Sequence, residues 1–127
     1  MTCPDSLKEL KLLVADFITR RDWKKYHTVK NLSMSISIEA AEIMELFQWL
    51  TNEEATKQIQ TDPNLKTKLE DELADVLIYC LSLGYHAKID LNKIIREKLN
   101  RNEQRFPIEV VSGRLGPYTP SSSRKGD

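Results

Sequence analysis

Two pairs of acidic residues lie in markedly apolar stretches of this sequence. Glu39 and Glu42 belong to SIEAAEIMELFQW, whereas Glu72 and Asp75 belong to LEDELADVLIY. Each pair has a spacing of three residues, which on an α-helix directs both carboxylates to one side of that helix. If the two helices face each other, four carboxylates converge, and their repulsion amid apolar neighbours requires a compensating positive charge.

The compensating charge could come from a divalent cation or from lysine and arginine side chains. Carboxylate oxygens without cysteine or histidine fit Mg²⁺ or Mn²⁺ better than zinc, and Mg²⁺ commonly takes its remaining ligands from substrate phosphates. Acid pairs at this spacing are also common on solvated helix faces. The pattern alone therefore leaves a metal site and a solvated face equally open.

Aromatic side chains share the helix faces of the acids. Counting about 100° per residue places Trp49 near the direction of the first acid pair, and Tyr79 and His86 near that of the second. A nucleotide base can stack on an aromatic ring. Acids for a metal-bound phosphate chain beside aromatic walls therefore indicate a nucleotide site. Each ring could instead serve packing, and an isolated histidine such as His27 or His86 is more often structural.

Other nucleotide-binding signatures are missing from the sequence. Neither GxxxxGK[ST] nor GxGxxG occurs, which excludes a P-loop or Rossmann site at the level of motifs. The basic residues Lys98, Arg101 and Arg105 fit either a solvated face or a phosphate-binding surface.

Composition limits the classes of partner. The 127 residues suit one domain, and a formal net charge of +0 provides no bulk attraction for nucleic acid or an anionic membrane. The two cysteines, Cys3 and Cys80, form neither a disulfide framework nor a CxxC pair, which favours a reducing compartment. No apolar run approaches the roughly 20 residues of a bilayer span. We therefore expect a cytoplasmic protein that binds neither nucleic acid nor membrane.

The elements that must position these residues are predicted to be helices, because only one glycine precedes residue 113. Capping residues and apolar periodicity predict four main helices and one short piece. We expect the four main helices to run from residue 5 or 6 to about 21, from about 31 to 50, from 62 to about 87, and from 90 to just before Pro107. The short piece lies between the second and third of them and is capped by Asn52. The sequence thus predicts an all-α, four-helix bundle-like domain over residues 1–107, followed by a flexible tail over 108–127.

The second and third long helices are apolar over most of their circumference. A helix of this kind is usually buried on several sides, and a bundle of this size can hardly bury two of them. We therefore expect oligomerisation through their faces. The alternative is a monomer in which the outer helices wrap tightly around them.

With these motifs in place, residues 7–107 resemble the MazG-like nucleoside triphosphate pyrophosphohydrolases, most closely the dCTP pyrophosphatase branch. The resemblance is strongest over RDWKKYHTVKNLSMSISIEAAEIMELFQW, LEDELADVLIYCL and NRNEQRFP. The family motif is an ExxE pair, a spacer and ExxD. The resemblance therefore implies that the four acids are Mg²⁺ ligands and catalytic residues: Glu39, Glu42, Glu72 and Asp75.

The resemblance also implies a set of substrate-binding residues. Trp23 and Trp49 correspond to base-contacting aromatics, and Tyr79 to a ring beneath the deoxyribose that disfavours a 2′-hydroxyl. The HxxxN positions ahead of the second helix are His27 and Asn31. The polar end of the last helix, near the phosphates, corresponds to Lys98, Asn102 and Arg105.

Three features depart from the common family pattern. Ile38 stands where many members have a further glutamate, an acid that the dCTP pyrophosphatase branch also lacks. The spacer between Glu42 and Glu72 has 29 residues, slightly more than usual. Val14 replaces a histidine of some branch members, which bears on base selectivity.

The implied reaction is hydrolysis of a deoxynucleoside triphosphate, dCTP or modified dCTP above all, to the monophosphate and pyrophosphate. In the implied mechanism, Glu42 or Glu39 accepts the proton of the attacking water. The family implies a homotetramer assembled from dimers. Two alternatives remain: the same fold acting on another nucleotide such as dUTP, and a non-catalytic helical oligomer whose acids form interface salt bridges.

Overall fold

The computed structural model describes residues 5–114, and every regular element in that range is helical. A 3₁₀ turn over Lys24–Tyr26 lies between the first two helices. The α-helices are α1 (Ser6–Arg20), α2 (Val29–Phe47), α3 (Asn52–Thr61), α4 (Pro63–His86), α5 (Leu91–Arg105) and α6 (Ile108–Val111). The predicted all-α class is confirmed. The short helix α6 begins the segment predicted as a tail, and the rest of that segment, 115–127, lies outside the described residues.

Aspartate side chains cap three of the helices, as predicted from the sequence. The Asp5 carboxylate accepts the backbone N–H of Lys8 at the start of α1, and Asp90 caps α5 in the same way. Asp62 accepts two N–H groups of α4, with Pro63 at the first helical position. Each cap satisfies an N–H group that the helix itself cannot bond, which is why these starts were predictable.

Two helix ends differ from the prediction. Helix α2 starts earlier, because the Thr28 hydroxyl accepts the N–H of Asn31, and it ends at Phe47 rather than near residue 50. Helix α3 is capped by Thr51 and not by Asn52. The Thr51 hydroxyl accepts the backbone N–H of Glu54 and donates to the Glu54 carboxylate, so both side chains stabilise the start of α3.

Helix α4 is the central element of the fold, because α1, α2 and α3 all pack against it. Burial follows this arrangement, with Ala15 and Ile18 on α1, Leu32 on α2 and Leu81 on α4. The Lys11 ammonium donates to the carbonyl of Ile89 at 2.9 Å, which joins α1 to the segment after α4. The α2–α4 contact brings the two predicted acid pairs onto neighbouring helices.

The described chain divides into two compact units. The first ends at Ile89 and contains α1–α4, and the second begins at Asp90 and contains α5 and α6. Among the helices of residues 5–114, none combines the length and hydrophobicity that a membrane span requires.

Many apolar side chains of α2 and α4 are exposed in the single chain. They include Met34, Ile38, Met44, Leu73 and Leu77. Exposure of this extent on two adjacent helices is typical of a surface that another molecule covers. The predicted oligomerisation through these helices stays a prediction.

Candidate metal centre and adjoining cavity

Three carboxylates converge where α2 packs against α4. One oxygen each of Glu39, Glu72 and Asp75 lies within 4.8 Å of the others. The carboxyl of Glu42 is also within hydrogen-bonding reach of Glu39 and Glu72. The structure therefore brings together the four acids that the sequence singled out, which we call the acidic cluster. Glu45, which follows Glu42 by three residues, is exposed on α2.

The acidic cluster is electrostatically unfavourable in its ionised form. Hydrogen bonding with Glu42 and desolvation raise the pKa of Glu72 to about 7. Burial, followed by the neighbouring Glu42, raises the pKa of Glu39. A hydrogen bond between two carboxyl groups requires a proton on one of them, so the cluster resists full ionisation unless a cation joins it.

Two oxygens of the cluster have no partner of their own. Oε2 of Glu39 and Oε2 of Glu72 are buried and accept no hydrogen bond. None of the ion pairs formed among residues 5–114 involves a cluster acid. Unpartnered carboxylate oxygens, together with the absence of nitrogen or sulfur ligands from the cluster, fit a hard divalent cation such as Mg²⁺ or Mn²⁺.

A cavity of about 420 Å³ adjoins the acidic cluster, and Asp75 belongs to both. Three of the predicted substrate-binding residues line it: Trp23, His27 and Tyr79. The other lining residues are apolar, namely Leu13, Val14, Phe17, Ile18 and Ile78. A mostly apolar cavity with a few polar groups beside a carboxylate cluster is the usual form of a small-ligand site. The cavity therefore offers a place for a nucleoside, and its occupation by a nucleotide stays a prediction.

Ring contacts hold the cavity walls in place. Phe17 and Trp23 meet edge to face with ring centroids 6.0 Å apart, and the Arg21 guanidinium lies 3.6 Å above the Phe17 ring. Elsewhere on the wall, His27 stacks on Tyr79 at 6.2 Å with an interplanar angle of 28°. The aromatic surfaces available to a ligand are therefore braced by neighbours rather than free to rotate.

The contribution of α1 to this cavity was not predicted from the sequence. Leu13, Phe17 and Ile18 follow the apolar spacing of the first helix, which indicated ordinary packing. The one available signal was Val14, whose position the family resemblance had already marked. The prediction that the two histidines are isolated was also wrong, because the rings of His27 and His86 lie 6.4 Å apart.

Two predicted substrate-binding residues lie outside the cavity wall. The Asn31 side chain is exposed and donates to the carbonyl of Tyr26 at 3.2 Å, which stabilises the turn before α2. Trp49 is 87% exposed and lies beyond the end of α2 at Phe47. The helical count that aligned Trp49 with Glu39 therefore does not apply, although contact between Trp49 and a base stays a prediction.

The remaining predicted substrate-binding residues belong to α5, in the second compact unit. Lys98, Asn102 and Arg105 follow a spacing of four and three residues, which places them on one side of that helix. The guanidinium of Arg105 lies 5.4 Å from the centroid of the Phe106 ring. Their role near the phosphates stays a prediction.

Most of the chain is similar to known proteins. The model of the MazG-like family matches residues 34–114. The dCTP pyrophosphatase 1 of Rattus norvegicus is 34% identical over 114 residues, which cover 90% of this chain and 66% of that protein. The dCTP pyrophosphatase 1 of Homo sapiens is 33% identical over 114 residues, which again cover 90% of this chain and 66% of that protein. The chain thus spans about two thirds of the length of these relatives.

A solved structure is similar along almost its whole length. It is the crystal structure of a pyrophosphatase from Archaeoglobus fulgidus, with a TM-score of 0.75 and 38% sequence identity. The match covers 84% of this chain and 97% of that protein.

Proposed function

Because the chain belongs to the MazG-like family, we propose that it is a nucleoside triphosphate pyrophosphohydrolase. Its substrate is a deoxynucleoside triphosphate, dCTP or modified dCTP, which it hydrolyses to the monophosphate and pyrophosphate. The observation that carries this proposal is the position of Asp75, which joins the acidic cluster to the aromatic cavity. One residue thus links a site for metal-bound phosphates to a site for a base. The names of the relatives support the reaction and the base.

The cluster acids hold the metal ion in this proposal. Glu39, Glu72 and Asp75 offer converging oxygens, and Glu42 completes the set. Bound Mg²⁺, or Mn²⁺ in its place, would lower the pKa of a water molecule and neutralise charge on the phosphates. Glu42 or Glu39 accepts the proton of the attacking water, since both are acids within the cluster and the site contains no cysteine or serine nucleophile.

The cavity receives the nucleoside. Trp23 provides a ring on which the base stacks, and Tyr79 lies beneath the deoxyribose, where a 2′-hydroxyl would crowd it. His27 adds a polar group to the same wall. The predicted residues outside the cavity wall make the other contacts with the nucleotide in this proposal, including those with the phosphate chain. They are Asn31, Trp49, Lys98, Asn102 and Arg105.

The proposed assembly is a homotetramer built from two dimers. The exposed apolar side chains of α2 and α4 would be buried between its subunits. The proposed role is removal of excess or modified dCTP from the cytoplasmic nucleotide pool.

A panel of triphosphates tests the proposed reaction. Purified protein is incubated with dCTP, 5-methyl-dCTP, dUTP, dTTP and CTP, with and without Mg²⁺, and pyrophosphate and monophosphate are both quantified. We expect equimolar pyrophosphate and monophosphate, a strict requirement for Mg²⁺ or Mn²⁺, and the highest kcat/KM with dCTP or its 5-methyl form. Release of inorganic phosphate instead of pyrophosphate would contradict the proposed pyrophosphohydrolase reaction. A preference for dUTP would leave the reaction as proposed but would identify dUTP as the substrate instead of dCTP.

Thermal stability separates the enzyme from a non-catalytic oligomer with salt-bridged acids. We expect the midpoint of thermal unfolding to rise most when Mg²⁺ and a non-hydrolysable dCTP analogue are both present. A midpoint that responds to neither would support the non-catalytic alternative.

A further inference from the structure

Ser82 is a buried polar residue in the apolar second half of α4. Only 1% of its surface is exposed, and among residues 5–114 it is the only polar residue buried to this degree. Its Oγ lies 3.2 Å from Nδ1 of His27, which precedes it by 55 residues. A buried hydroxyl is costly unless it forms a hydrogen bond. The contact therefore joins α4 firmly to the segment ahead of α2.

This contact favours one neutral form of His27. Burial, and second the nearby His86 ring, lower the pKa of His27, so its imidazole is neutral at neutral pH and carries one hydrogen. Ser82 has no other hydrogen-bond partner among the described residues. An orphaned donor is rarer in proteins than an under-used acceptor. The Ser82 hydroxyl therefore donates to Nδ1, and the imidazole hydrogen lies on Nε2.

The other nitrogen of His27 remains available to a ligand. His27 lines the cavity, and its ring is fixed by stacking on Tyr79. Among the described residues, Nε2 of His27 has no hydrogen-bond partner, and it is not one of the fully buried atoms without a partner. It is therefore at least partly exposed. Because most of the cavity wall is apolar, one oriented N–H group would strongly favour a ligand pose that presents an acceptor to it.

We propose that Ser82 is a positioning residue, whose hydroxyl holds His27 in the Nε2–H tautomer so that His27 donates a hydrogen bond to the bound nucleotide. The acceptor is an oxygen or ring nitrogen of the base or the sugar. The identity of the ligand rests on the proposed function, whereas the tautomer of His27 does not.

Nitrogen NMR of the imidazole rings tests the tautomer directly. The chain has two histidines, so a His86→Gln variant assigns the His27 signals. We expect the Nε2–H form in the wild type and a mixture of both neutral forms in Ser82→Ala. Ser33→Ala is the matched control, because Ser33 is an exposed helical serine whose hydroxyl bonds to the Lys30 carbonyl at 2.6 Å. An Nδ1–H form in the wild type, or an unchanged tautomer in Ser82→Ala, would overturn the proposal.

Ligand binding and kinetics test the link to the nucleotide. Addition of Mg²⁺ and α,β-imido-dCTP should shift the Nε2 signal of His27 in the wild type. Ser82→Ala should raise KM for dCTP about two- to tenfold with kcat nearly unchanged, and should add no further effect in a His27→Ala background. Alanine keeps the helix favourable, and circular dichroism checks that the variant folds.

The outcomes separate the two proposals. Additive effects of the two substitutions, or a lower unfolding midpoint with unchanged KM, would reduce Ser82 to a structural residue. A wild-type protein that hydrolyses no triphosphate would overturn the proposed function, while the nitrogen spectra would still decide whether Ser82 sets the tautomer of His27.

Discussion

Asp75 and Tyr79 are one helical turn apart on α4 and line the same cavity, while Asp75 also contributes an oxygen to the acidic cluster. A spacing of four residues directs both side chains to one side of α4. In the proposed binding mode, the distance between a phosphate at the cluster and a sugar above Tyr79 would therefore be set within a single helix.

Removal of a cluster carboxylate should abolish turnover without unfolding the protein. Glu42→Gln and Asp75→Asn each keep the size of the side chain but lose a charge that would hold the metal, so we expect kcat/KM to fall at least about 100-fold. Pyrophosphate release from dCTP is the measurement. Glu45→Gln and Asp71→Asn are matched controls, since both are exposed acids on the same two helices. Wild-type turnover by either cluster variant would contradict the site.

The stability of the metal-free protein should fall as the pH rises towards neutrality. The pKa of Glu72 is raised from 4.5 to about 7, so between these values the folded protein keeps a proton that the unfolded chain releases. This contribution to stability is fully present below about pH 4.5 and is lost as the pH rises through about 7. Unfolding midpoints measured with a chelator from pH 5 to 8 should show the fall.

Two comparisons identify Glu72 as the source of that fall. Glu72→Gln should reduce the fall to the part that the raised pKa of Glu39 contributes, whereas Glu70→Gln, an exposed neighbour on α4, should leave it unchanged. Stabilisation by Mg²⁺ should increase over the same pH range, because the ion binds carboxylates and competes with the proton. An equally steep fall in Glu72→Gln would assign it to other groups.

Truncation of Trp23 should weaken substrate binding more than the chemical step. Trp23→Ala removes a ring from the cavity wall, and loss of one stacking surface should raise KM for dCTP roughly tenfold. Tyr26→Ala is the matched control, because Tyr26 is a nearby exposed aromatic residue that does not line the cavity. Steady-state kinetics of both variants decide the point. Equal effects would indicate a general loss of stability instead.

Tyr79 should control the discrimination between deoxyribose and ribose. Tyr79→Phe keeps the ring and should keep the preference for dCTP over CTP, whereas Tyr79→Ala should reduce it several-fold because a 2′-hydroxyl then finds space. The ratio of kcat/KM for dCTP and CTP measures this. An unchanged ratio in Tyr79→Ala would place the sugar elsewhere.

Sedimentation should show an assembly larger than a monomer at micromolar concentration. Met44 is exposed on α2 in the single chain, so Met44→Lys should shift the distribution towards smaller species by introducing charge into the apolar surface. Ser33→Lys, at an exposed polar position of the same helix, serves as the comparison. A monomeric wild type would contradict the proposed tetramer.

Local interactions made much of the fold predictable. The caps at Asp5, Asp62 and Asp90 act within three residues of sequence, so their chemistry can be recognised without a structure. The spacing of Glu39 from Glu42 likewise determines that they share one helix face, because helical geometry does not depend on the rest of the chain. The existence and the directions of both acid pairs were therefore determined by the sequence itself.

The tertiary structure decided which faces meet. Packing of α2 on α4 brings Glu39 to Glu72, and packing of α1 on α4 completes the cavity with residues such as Phe17. The contact between His27 and Ser82 spans 55 residues. Such contacts depend on which helix faces are buried against one another when apolar surface is removed from water. That choice depends on the whole domain, so residue spacing along one helix does not determine it.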